Sequence, residues 1–155
     1  MEASVLPQAI SRPLTARLID SLYVEAMLLA DEVRAYFDEH GRADRERLPP
    51  MARVSFSCES LKATTRLMHV VAWLLIRRAV EAGELDPVHA KGAGRRLGHV
   101  AESEPHIVAG LPEAARLLVE ASCDLHARVH RLDREMAPPT PSPARALIER
   151  LERAF

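Results

Sequence analysis

Residues 51–82, MARVSFSCESLKATTRLMHVVAWLLIRRAVEA, form one unbroken helical pattern with neither Gly nor Pro inside it. Val54, Cys58, Leu61, Thr65, Met68, Ala72, Leu75 and Ala79 recur at alternating steps of four and three. That spacing draws one continuous stripe along a helix. At about 1.5 Å per residue the run makes a rod of roughly 48 Å. Between Leu67 and Ile76 it is apolar nearly all round, broken only by His69. A helix apolar on every side must be covered on every side, and the rest of this chain offers limited surface for the task. The sequence therefore implies a partner surface, with Leu67, Val70, Val71, Trp73 and Leu74 as candidate contacts between two copies of the chain. Trp73, the single tryptophan, reads as core or as the centre of that interface, and the interface is favoured because Trp is enriched at binding hot spots.

What else the chain can build follows from its apolar residues. They make up 48% of 155 residues, yet aromatics are only 4%. The core must come from Leu, Val, Ala and Met, which favours packed helices over a β-sandwich. One domain is expected at this length. A formal net charge of −1 argues against a general polyanion binder or a polybasic membrane binder. Among 21 Lys and Arg only Lys62 and Lys91 are lysine, a skew read first as genomic composition. Cys58 and Cys123 lie inside helical patterns and are expected as reduced thiols. The N-terminus lacks a basic n-region and a long apolar run. Val70–Ile76 is far short of the ~20 residues that span a bilayer. A soluble, cytoplasmic protein is expected.

The punctuation organises the chain into helices. Ser11 can cap a first helix with Pro13 in its first turn. This helix runs to about His40, with Gly41 placed for a left-handed stop. Its stripe is Ile19, Leu22, Ala26, Leu29, Val33 and Tyr36, widened by Leu18, Ala30 and Phe37. A charged connector ends in Pro49-Pro50 at the start of the long helix, which stops at Gly83. Asp86-Pro87 suggests a short helix over Val88 to Lys91. Residues 92–111, rich in Gly, read as irregular with one helical turn around Arg95 to Val100. Pro112 opens a third helix to about Met136. Leu111, Leu118, Leu125 and Leu132 hold one heptad position of it, and Ala115, Ser122, Val129 and Met136 the other. APPTPSP, residues 137–143, is an extended spacer. ARALIERLERAF follows as a short amphipathic helix, with Leu147, Ile148, Leu151 and Phe155 as a candidate partner-binding face. The expected fold is all-α: three long antiparallel helices in an up-down bundle, a short accessory helix in the 84–111 connection, and a homodimer. Residues 1–136 are expected as the bundle and 137–155 as spacer and tail.

Catalytic motifs are absent from the sequence: there is no G-x-S-x-G, Walker loop, G-x-G-x-x-G or Glu-x-x-His. An enzyme is not expected, and no cofactor is implied. Cys123, His126 and His130 share one helix stripe and could reach one ion. They occupy outward heptad positions without an evident fourth ligand, so a surface stripe is the expectation. Arg77, Arg78, Lys91, Arg95 and Arg96 form a candidate basic patch. Solvated charge and compensation of the helix C-terminus are its first reading; an acidic protein or nucleic acid is the alternative. Glu25, Glu59 and Arg66 flank apolar faces. Glu59 and Arg66, seven apart, suggest an interhelical ion pair. Thr64 and Thr65 suit bonds to their own helix.

Several residue strings carry a resemblance. Met27-Leu28, Tyr36-Phe37-Asp38, Gly41-Arg42, Glu59-Ser60, Thr64 to Met68, Trp73 to Leu75, Arg78 to Val80 and Gly83-Glu84 resemble the RcdA family of alphaproteobacteria, regulators of CtrA degradation. The resemblance spans residues 18–85 and fades after Leu85. It implies an all-helical homodimer of three-helix subunits with a flexible C-terminal tail. It also implies a non-enzymatic adaptor for the ClpXP protease, joining a protease component or response-regulator co-adaptor to substrate proteins and coupling degradation to the cell cycle. A helical DNA-associated regulator and a metal- or small-ligand-binding bundle are the alternatives.

Overall fold

The computed structural model describes residues 6–90, 92, 95–137 and 142–154, with side chains omitted for 6–13, 145 and 146. Every regular element among them is helical. α1 (Leu6–Ala35) continues through one π-helical turn (Tyr36–His40) into α2 (Arg42–Glu46). α3 (Pro50–Glu81) is the long rod; α4 (Pro87–Ala90) and α5 (Pro105–Ala109) punctuate the connection to α6 (Glu113–Met136). α7 (Pro143–Glu152) ends the described chain.

Local chemistry sets these boundaries. Ser11 lies within α1, whose described part begins at Leu6; the cap expected of the Ser11 side chain lies outside the described residues. Pro50 opens α3 with its missing N–H where no helical partner exists. Gly83, at φ 74°, takes the left-handed conformation that lets Glu84 N–H reach the Ala79 carbonyl at 2.9 Å. Gly41 does not take it: its φ is −84°. Glycine is needed there because a Cβ would come within 2.8 Å of the Tyr36 carbonyl. Asp86 Oδ1 accepts the Val88 N–H at 2.9 Å and starts α4. A tight turn does close at Arg95, whose N–H meets the Gly92 carbonyl at 2.9 Å, but the chain to Val100 is not helical; the helical turn of this connection is α5, where Pro105 supplies a first-turn residue.

The direction of α6 corrects the expected up-down bundle. α1 is antiparallel to α3: Asp20 pairs with Arg78 at 3.1 Å at one end, and Phe37 meets Phe56 at 5.2 Å at the other. Between α3 and α6 the numbers rise together, Arg66 with Ser122 and Trp73 with Asp133, so these two helices run parallel. The reason is the long connection, which returns along the middle of α3 as a crossing segment before α6 begins: Leu97 lies at Asp133, Gly98 at His69, Ala101 at Arg66 and Ser103 at Glu59. Six extended steps from Leu97 to Ser103 at about 3.3 Å cover roughly 20 Å. Fourteen helical steps from Trp73 back to Glu59 at about 1.5 Å cover roughly 21 Å. A parallel pair of helices requires such a crossover.

Packing follows the stripes of α1 and α6 but not that of α3. Ile19, Leu22, Ala26, Val33 and Tyr36 are buried, as are Leu111, Ala115, Ser122, Leu125 and Val129. Leu18, expected at the edge of the α1 face, points outward. α3 buries Phe56, Glu59, Ala63, Arg66, Leu67, Val70, Trp73, Leu74 and Arg77. The regular stripe of that helix is the opposite face: Val54, Leu61, Met68 and Leu75 are 55%, 69%, 64% and 47% exposed. The helix is thus covered on one side by its own chain and left apolar on the other.

Candidate functional site

The uncovered face of α3 lies along α1. Met68, Val71, Ala72 and Leu75 of α3, Met27 and Ala30 of α1 and Phe37 of the π-helical turn line an apolar groove of about 680 Å³, with Asp31, Arg34 and Asp38 among its polar lining. Crowding explains why it remains open. α6 and the crossing segment occupy the polar-studded face of α3, where Glu59, Arg66 and Arg77 find partners.

The expected interface residues divide. Trp73 is 2% exposed, and Leu67, Val70 and Leu74 are also inside the chain's own core. Placing these four between two copies is corrected: α1, α6 and the crossing segment already cover them. Trp73 is fixed from within, since its Nε1–H donates to Asp133 Oδ1 at 2.9 Å and Arg77 stacks on its ring at 5.0 Å. Val71 alone is half-buried; it lines the open groove, as does an edge of Leu67.

The expected basic patch disperses. Arg77 is buried and donates to the Ala90 carbonyl at 3.4 Å, leaving its Nε unpartnered. Burial lowers its pKa, while the Asp133 charge opposes that shift. Arg78 turns to α1, paired with Asp20 and lying 4.3 Å over the Tyr23 ring. Arg96 pairs with Asp133 at 3.0 Å. Arg95 is exposed, and Lys91 lies outside the described residues. Arg77 and Arg96 thus gather at Asp133 while Arg78 is held by Asp20 on α1, so these three do not present their charges on one open surface.

Nor do Glu59 and Arg66 pair across helices as expected. Glu59 bonds Lys62 at 3.0 Å and accepts the Ser103 hydroxyl proton; Arg66 Nη2 donates to Ser103 Oγ at 2.6 Å and to the Ala101 carbonyl at 3.2 Å. Ser103 of the crossing segment thus bridges the two charges. Glu25 does form an interhelical ion pair, with Arg128, which also holds Asp124. Thr64 and Thr65 bond back to Ser60 and Leu61. Sequence reading missed Asp133, Gly98 and Ser103. A lone core Trp needs an acceptor for its N–H, which was the available signal for Asp133.

Cys123, His126 and His130 line a second hollow, of about 440 Å³, with Arg66, His99 and Ser103. Among the described residues no group of three or more His, Cys, Asp or Glu is placed to hold a metal ion. His126 Nε2–H donates to the Gly98 carbonyl at 3.0 Å, and its ring stacks at 6.5 Å on His130. The tail is unpacked: Leu147, Ile148 and Leu151 of α7 are all more than half exposed, and Phe155 lies outside the described residues. Among the described residues no helix is long and apolar enough to cross a membrane.

Residues 10–155 match a family described as a protein of unknown function, DUF1465. The crystal structure of RcdA from Caulobacter crescentus CB15 is similar at 36% identity and a TM-score of 0.65, covering 79% of this chain and 93% of that one. The chain belongs to the RcdA family. The family match runs well past Leu85, so it takes in the crossing segment, α6 and α7, where the quoted strings had ended. Among curated proteins, no relative matches.

Proposed function

We propose that the chain is a non-enzymatic, cytoplasmic adaptor of regulated proteolysis. In this reading it works as a homodimer that joins a ClpXP-type protease component or a response-regulator co-adaptor to cell-cycle substrate proteins. The carrying observation is the exposed heptad stripe of α3 beside the α1 groove. Val54, Leu61, Met68 and Leu75 stand seven apart in one column, with Cys58, Thr65, Ala72 and Ala79 in the next. A two-column apolar seam of this kind suits a second helix laid along it, and a two-fold axis offers the same surface on both copies. The RcdA-family membership supports the adaptor part of the reading.

An adaptor needs no chemistry, only two binding faces at a set distance, so that the second contact becomes effectively intramolecular. The bundle supplies the rigid part. The proline-rich sequence after Met136 supplies reach. α7 then presents Leu147, Ile148 and Leu151 as a helix-in-groove ligand. The bundle at 1–136 and the tail at 137–155 act as separate working parts.

The test is a pull-down from native extract with the full chain and with residues 138–155 deleted, read by mass spectrometry. Capture of the protease ATPase, response regulators or degradation substrates by the full chain, reduced by the deletion, is expected. Failure of the full chain to retain any component of a protease system contradicts the adaptor reading.

A further inference from the structure

The hollow between the crossing segment and α6 is unused by the adaptor reading. Its floor is Arg66, only 4% exposed. A guanidinium this deeply buried ordinarily meets a carboxylate. Here, among the described residues, the oxygens it meets are the hydroxyls of Ser103 and Ser122 and the Ala101 carbonyl, all neutral. Glu59 stands behind Ser103, but Lys62 already holds it. The walls add imidazoles. His126 comes from α6, and the exposed rings of His130 and His99 flank the opening. Of the other groups nearby, Cys123 is half-buried and Glu102 at the rim is exposed. His69 reaches the far side of Gly98 from α3.

We propose that this hollow binds a small free ligand through an oxyanion group, a phosphate or a carboxylate, seated over the Arg66 guanidinium and clasped by His99, His126 and His130. The local field favours it. His126 is held below the usual imidazole range, first by burial; the Gly98 carbonyl opposes this, and His130, Arg66 and His69 add to the lowering as positive neighbours. An anion among these groups removes that repulsion. Because Nε2–H of His126 faces the Gly98 carbonyl, protonation would add a donor at Nδ1. Charge-assisted bonds from guanidinium and imidazolium to an oxyanion are the strong class of hydrogen bond. The site depends on neither the dimer nor the tail.

The experiment titrates the full chain with sodium sulfate, whose charge is constant across the range, at pH 6 and pH 8. Ionic strength is balanced with sodium chloride, and the imidazole Cε1–H resonances are followed by NMR. Saturable shifts confined to His99, His126 and His130 are expected, with affinity about tenfold higher at pH 6, as uptake of one proton permits. The H99Q/H130Q variant, altered only at exposed rings, should keep the wild-type melting curve and bind at least about fivefold more weakly. Parallel titrations with inorganic phosphate and with acetate separate the two ligand classes: a preference for phosphate assigns a phosphate group, and a preference for acetate a carboxylate. Shifts that chloride reproduces at equal ionic strength, or binding unchanged in the variant, would overturn the proposal.

Discussion

Replacing Asp133 with alanine removes the acceptor that ties three parts of the chain together. Asp133 is 2% exposed and takes the Trp73 indole N–H at 2.9 Å, the Arg96 guanidinium at 3.0 Å and the Leu97 amide at 3.4 Å. Leaving the buried indole donor unpaired costs about 1–3 kcal/mol. The amide bond is long and adds roughly 0.5 kcal/mol. The Arg96 side chain is 40% exposed, so solvent screening limits its share to at most about 1 kcal/mol. Asp133→Ala should therefore destabilise the fold by about 3 kcal/mol in urea titrations followed by Trp73 fluorescence and far-UV circular dichroism. Asp133→Asn keeps an oxygen for Trp73 but sets an NH2 against the Arg96 and Leu97 donors, so it should cost about 1.5 kcal/mol. A loss below about 0.5 kcal/mol for the alanine variant, or equal losses for both, would refute the clamp described between α3, α6 and the crossing segment.

Gly98→Ala would push a Cβ to within 2.6 Å of His69 Cγ and should cost about 1–3 kcal/mol by overpacking; adding His69→Ala should recover most of the loss in a double-mutant cycle. Stability should fall as pH drops. The folded His126 pKa lies below its unfolded value, so the unfolded chain takes up the proton first. Stability is full above pH ~6.5 and is lost as pH falls from there through the folded pKa. His126→Gln should flatten that slope in melts recorded between pH 8 and pH 5. Deleting residues 138–155 should move the melting temperature by less than about 2 °C, because the apolar side chains of α7 are exposed; a larger drop would mean that the tail is docked on the bundle.

The helices and the faces of α1 and α6 were legible because each carries one apolar stripe and one wet side. α3 misled for a physical reason. Its cleanest apolar period marks the open face, while the face inside the chain is broken by Glu59, Arg66 and Arg77. Buried charge blurs periodicity, and only the crossing segment reveals its partners. That segment leaves no periodic signal, since its contacts are scattered single groups: Arg96 and the Leu97 amide on Asp133, a Gly against a His ring, one Ser hydroxyl and a few carbonyls. The parallel course of α6 was unreadable for the same reason. Trp73 was read as interfacial because the girdle around it exceeded what three helices seemed able to cover. The crossing segment supplies the missing wall, and the surplus apolar surface lies one face over, at Leu61, Met68 and Leu75.

The central claim is that this outward stripe of α3 joins two copies of the chain. Sedimentation velocity at micromolar concentration, on the wild type and on a Leu61→Glu/Met68→Glu variant, tests it most directly. Both side chains are exposed, so the variant should fold with an unchanged circular dichroism spectrum. The wild type should sediment as a species of twice the chain mass and the variant as a folded single chain. A wild-type protein that sediments as one chain, or a variant that still pairs, contradicts it.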